Sequence, residues 1–138
     1  MWGDHKIGAL ICYEDILPSF VRSVVRHGDP DLLVNLTNDA WFGDSTEPWI
    51  HLALAKLRAV EHRRYLIRAT NSGVSALIDP VGRVPLVSGT FKEESLLGVA
   101  KFMRSTTVYG VVGDAPWYLA TAAIVAMAFV RRKRESAA

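Results

Sequence analysis

Apolar positions recur along the chain in three different rhythms. Two short, nearly unbroken runs come first, Lys6 to Tyr13 (KIGALICY) and Leu32 to Thr37 (LLVNLT). Both are brief and apolar, which predicts two buried strands. Between them Pro18 and Ser19 open a helical spacing over Phe20 to His27, with Val21, Val24 and Val25 on one face, and Gly28-Asp29-Pro30 stops it. A longer helical rhythm runs from Trp49 to Leu66. Ile50, Leu54, Leu57 and Glu61 share a face there, and His62, Arg63 and Arg64 suit a helix C-terminus.

Strand patterns then take over. Ile67 to Thr70, Val74 to Ile78, Arg83 to Val87 and Ser95 to Phe102 read as strands three to six. Asn71-Ser72-Gly73 and Asp79-Pro80-Val81-Gly82 are the first two turns between them. Helices set apart from strand pairs predict an α+β sheet with helices on one face.

The third rhythm is a run with no charge, Pro116 to Val130, apolar on every side. It is short for a bilayer, which takes about 20 residues. Trp117 and Tyr118 at one end and Arg131, Arg132, Lys133 and Arg134 at the other are the expected flanks of a short span. The expectation is a globular part over 1–110, a transmembrane helix over 111–130 and a basic cytoplasmic tail over 131–138. The alternative is an amphipathic core helix.

Composition narrows the function. Half of the 138 residues are hydrophobic and 22% are charged, enough for one domain with a real core. The net charge of +2 is misleading. Four of the 16 basic residues and one of the 14 acidic ones lie in Arg131 to Ala138, so the body carries −1. A nearly neutral body offers no nucleic-acid surface. One cysteine makes no internal disulfide. The four His residues are scattered without metal spacing, so neither metal nor cofactor is expected. Met1 precedes Trp-Gly-Asp-His-Lys, with no basic and apolar leader pattern, and the chain enters a strand almost at once, as if in the middle of a domain.

Three clusters carry candidate chemistry. In Ile11-Cys12-Tyr13-Glu14 a cysteine ends a buried strand just before a turn. That is where a nucleophile projects and the next backbone N–H faces a developing oxyanion. A lone cysteine in an apolar strand is otherwise a small core residue. In Asn38-Asp39-Ala40-Trp41-Phe42-Gly43 two large aromatics lie in a loop, either as a plug over the core or as the rim of a lipid pocket. Arg58 and Glu61 lie three apart on the long helix and read as a structural pair, followed by Thr70-Asn71-Ser72-Gly73.

Taken together, the order and spacing of these clusters resemble the nitrilase, or carbon–nitrogen hydrolase, superfamily. The aromatic loop and the final apolar run resemble, within it, the apolipoprotein N-acyltransferase family. The resemblance spans roughly residues 7–134. It implies the C-terminal half of an α-β-β-α sandwich and a Cys–Glu–Lys triad at the outer face of the bacterial inner membrane. It further implies transfer of an acyl chain from a phospholipid, through a cysteine thioester, to the N-terminal amine of a diacylated apolipoprotein. Cys12 would be the nucleophile, the Tyr13 N–H an oxyanion donor and Glu14 a nearby acid. Trp41, Asn38 and Phe42 would line the acyl entrance, with Arg58, Glu61, Asn71 and Gly73 as structural residues near the site. The family places its Glu and Lys upstream of the nucleophile, and only eleven residues precede Cys12. The chain alone is therefore expected to be inactive and to need an upstream half as partner. A soluble nitrilase-type amidase and a non-catalytic membrane-anchored module are the competing readings.

Overall fold

The computed structural model describes residues 3–135. Five strands form one mixed sheet in the order β1-β2-β3-β4-β5: Ile7–Ile11, Leu32–Thr37, Leu66–Thr70, Ala76–Ile78 and Leu86–Val87. β1, β2 and β3 run parallel, with Leu10 opposite Asn35 and Asn35 opposite Arg68. β4 and β5 then add antiparallel. Parallel neighbours need a crossover, and a helix supplies each one. These are α1 (Pro18–Gly28) between β1 and β2, and α2 (Glu47–His62) between β2 and β3.

Each crossover helix has a proline in its first turn and ends on a left-handed residue. Asp29 (φ 43°) ends α1 and Arg63 (φ 50°) ends α2. The second of these stops the long helix at His62 rather than at the expected Leu66. Arg63 turns the chain, Arg64 sends its guanidinium inward to the carbonyls of Pro30, His62 and Ser105, and Leu66 starts β3.

The core lies on one side of the sheet. Leu10, Leu33, Leu66, Ala76 and Ile78 meet Val21 and Val25 of α1 and Leu52, Ala55 and Ala59 of α2. Strand alternation sends the neighbouring residues to the other face, where Ile7, Ile11 and Leu36 are each about half exposed. Among the described residues no second layer covers them.

Two strand expectations are corrected. Ser95 to Phe102 is not a sixth strand but an irregular strap. Gly98 lies so close over Leu86 and Leu77 that a Cβ would come within 2.3 Å of Leu86 Cδ1, so this segment fills space above the sheet instead of pairing at its edge. The fifth strand also shrinks from Arg83–Val87 to Leu86–Val87, because Asp79 holds the N–H groups of Val81 and Arg83 in the turn.

The expected membrane span is not shown. α3 (Val108–Val112) and α4 (Ala115–Glu135) close the chain, and among the described residues no helix is long and apolar enough to cross a membrane. The charge-free stretch is bounded by Asp114 and Arg131, so lengthening it brings in charge at either end. Leu119, Ile124, Met127 and Phe129 on α4 are exposed. Met1, Trp2 and the tail residues 136–138 lie outside the described residues.

Candidate active site

Cys12 sits one residue past β1, at the start of a 3-10 turn, Cys12–Ile16. Its φ is +50°, a left-handed conformation that costs a non-glycine residue about 1–2 kcal/mol. Such a strained junction turns the side chain out of the sheet, and Cys12 is partly exposed. Glu14 folds back so that its Oε2 accepts from the Ile11 N–H at 2.7 Å, which ties the turn to the end of the strand.

Beneath the turn lies a group of charges, each at most 1% exposed: Asp15, Asp39, His51 and Arg68, with Asn35. His51 Nε2 is 2.8 Å from Asp15 Oδ1, and Nδ1 is 3.1 Å from Asp39 Oδ1. Arg68 donates to the remaining oxygens of the same two carboxylates, Asp15 Oδ2 and, at 3.0 Å, Asp39 Oδ2. Each of these buried ionisable side chains thus has a partner within hydrogen-bond distance, the condition under which buried charge is tolerated. Asn35 joins this group to Cys12. Its Oδ1 accepts from Arg68 at 3.3 Å, and its Nδ2 donates to the Cys12 carbonyl at 3.0 Å.

Above the turn the contacts are aromatic. The Tyr13 ring stacks on His51 (centroids 5.1 Å apart, 15° between planes) and meets the edge of Phe42 at 6.0 Å. Partial burial, then the Glu47 carboxylate, hold the Tyr13 hydroxyl above its ordinary pKa. Trp41 stands 83% exposed in the short turn Ala40–Phe42. Asn38 is spent within its own loop, where its Oδ1 accepts from the Ala40 N–H at 3.0 Å. Gly73 is required where it stands, since a Cβ there would lie 2.2 Å from Asp39 Oδ2. Asn71 caps its own turn through the Ser72 N–H.

The structure thus gathers Cys12, Tyr13, Glu14, Phe42 and Gly73 around the buried charges. Arg58 and Glu61 are elsewhere. They pair at 2.7 Å near the C-terminal end of α2, seven or more residues past His51 and so about 10 Å farther along the helix. Burial raises the Glu61 pKa there, against the lowering effect of Arg58. Sequence reasoning missed Asp15, Asn35, Asp39, His51 and Arg68 as site residues. Their one local signal was a polar residue inside each apolar strand, Asn35 in LLVNLT and Arg68 in LIRAT. Among the described residues no group of three His, Cys, Asp or Glu side chains is placed to hold a metal ion.

Residues 2–107 match the family model for carbon–nitrogen hydrolases. The chain belongs to that family. Among curated relatives it is 43% identical over 132 residues to the apolipoprotein N-acyltransferase of Methylococcus capsulatus, covering 96% of this chain and 26% of that protein. It is 42% identical over 127 residues to the enzyme of the same name from Haemophilus influenzae, covering 89% and 24%. The chain therefore spans about a quarter of the length of these relatives. Among solved structures it resembles an amidase from Nesterenkonia sp. AN1, with a TM-score of 0.53 and 29% identity over 64% of this chain and 35% of that one. In that carbon–nitrogen hydrolase the active-site cysteine carries a covalently added acetamide group.

Proposed function

We propose that this chain is the nucleophile-bearing part of an apolipoprotein N-acyltransferase and that Cys12 is the nucleophile. The observation that carries the reading is the left-handed Cys12 at the end of β1, held over a buried cluster of hydrogen-bonded ionisable side chains. The Cys12 thiolate attacks the sn-1 ester carbonyl of a phospholipid, and the Tyr13 N–H donates to the resulting oxyanion. The intermediate collapses to a thioester, and the lysophospholipid leaves as an alcohol that takes up a proton. The α-amine of a diacylglyceryl-cysteine then attacks the thioester. An amide forms, and the thiol is restored.

Trp41 and Phe42, with Asn38 shaping their loop, border the acyl-chain entrance in this reading. The general base Glu and the Lys come from the upstream part of the enzyme, which would also cover Ile7, Ile11 and Leu36. The chain alone does not turn over. The work is done at the bacterial cell membrane, on its outer face, where the lipoprotein amine is presented.

A chimera tests this. When this chain replaces the matching quarter of the Haemophilus influenzae enzyme, lipoprotein N-acylation is retained, and Cys12→Ala abolishes it. A folded chimera without activity would count against the reading. The amidase reading has the likeness to the Nesterenkonia structure behind it. Hydrolysis of short amides by the same chimera, without acyl transfer to an amine, would favour it.

A further inference from the structure

The Cys12–Tyr13 peptide is oriented by one buried side chain, Asn35. Its amide can sit only one way round. Arg68 has donors and no acceptor, so the atom facing it at 3.3 Å must be Oδ1. That turns Nδ2 toward the backbone carbonyls of Cys12 at 3.0 Å and Leu10 at 3.4 Å. Arg68 in turn is fixed by Asp15 and Asp39, and both of these by His51. The Cys12 carbonyl is thereby drawn down toward a side chain with no solvent exposure.

No peptide in the described chain is cis. In a planar trans peptide the C=O and the following N–H point in opposite directions. Drawing the Cys12 oxygen inward therefore aims the Tyr13 N–H outward, to the side from which a substrate carbonyl approaches Cys12. We propose that Asn35 is a positioning residue that sets the oxyanion donor of this site by holding the Cys12 carbonyl, with Arg68 choosing the rotamer of its amide. This rests on the reading of Cys12 as the acyl-accepting nucleophile. It adds a residue 23 positions downstream that touches no substrate.

The test uses two reagents on Cys12, the only thiol in the chain. Iodoacetamide alkylates sulfur by direct displacement of iodide, with no tetrahedral oxyanion. p-Nitrophenyl acetate acylates it by forming the S–C bond, passing through the oxyanion and expelling p-nitrophenolate. Both rates are read at Cys12, at one pH, for the 138-residue chain paired with the upstream part of a relative's enzyme and for Asn35→Leu in the same pairing, which keeps the bulk and removes the donor. The expected result is alkylation within about twofold of wild type and acylation slower by roughly 10- to 100-fold, part of the 10²–10³ lost with a whole oxyanion donor. Should Asn35→Leu fail to melt cooperatively, Asn35→Asp gives the same comparison, with an acceptor in place of the donor. Equal loss of both rates, or acylation unchanged in a folded variant, overturns the proposal. A wild-type chain that, paired with the upstream part of a relative's enzyme, is alkylated but never acylated at Cys12 overturns it together with the nucleophile reading. Acylation in wild type with no selective loss in the variants overturns the positioning role alone.

Discussion

His51 Nε2 lies 2.8 Å from Oδ1 of Asp15, three residues past Cys12, with both side chains fully buried. This contact joins the middle of the crossover helix α2 to the turn that presents the thiol. Its counterpart, Arg68 to the other oxygen of Asp15, joins the same turn to β3. The position of Cys12 is therefore set by residues 36 and 53 positions beyond Asp15 as much as by its own strand.

Removing one member of this cluster leaves an uncompensated buried charge. Asp15→Ala or Arg68→Ala should lower unfolding stability by about 3–5 kcal/mol, read from urea melts. A loss below 1 kcal/mol would mean that the charges are not buried together.

Gly73→Ala should also destabilise, by about 1–3 kcal/mol, because the new methyl group meets Asp39 at 2.2 Å. The same substitution at Gly43, where a Cβ would have open space around it, meets no neighbour and costs only what its positive φ of 59° demands. Comparing the two melts separates crowding from backbone strain.

Stability should rise with pH between about 4 and 6.5. Burial, and then the charges of Arg64, Arg58 and Arg22, lower the His62 pKa from 6.5 to about 4. In that window the unfolded chain binds the proton and the folded chain does not, so stability is lost as pH falls through it. His62→Gln should flatten this slope. Asp31 acts lower down. Its hydrogen bond with Arg104 holds it near 2, so its contribution is present above its usual 3.8 and is lost as pH falls toward 2.

The half-exposed apolar face should drive self-association. The 138-residue chain is expected to sediment as oligomers, and Ile11→Lys with Leu36→Lys should shift it toward monomer. A monodisperse, cooperatively melting monomer of residues 1–114 would argue that the sheet needs no second layer.

Much of the fold was legible because its signals are local. The unbroken runs around Leu10 and Leu33, the Pro18 helix start and the Asp79–Gly82 turn each announce an element within a few residues. The buried charges were not legible, because their partners are far apart in sequence. Asp15 and His51 taken singly look like ordinary polar positions, and only the parallel register that sets Asn35 beside Arg68 brings the group together. Ser95 to Phe102 misled for a related reason. Alternation gives a strand only where an edge accepts it, and this segment packs across the sheet face instead. Among the described residues the apolar run of α4 forms a helix that is not long and apolar enough to cross a membrane.

The most direct test is acylation of Cys12 by lipid. The chain is mixed with vesicles containing alkyne-tagged phosphatidylethanolamine, alone and together with the upstream part of a relative's enzyme, with Cys12→Ala as control. The account expects a hydroxylamine-sensitive label on Cys12 only when the upstream part is present. Absence of label when the two parts are shown to be associated would contradict it and leave Cys12 as a structural residue.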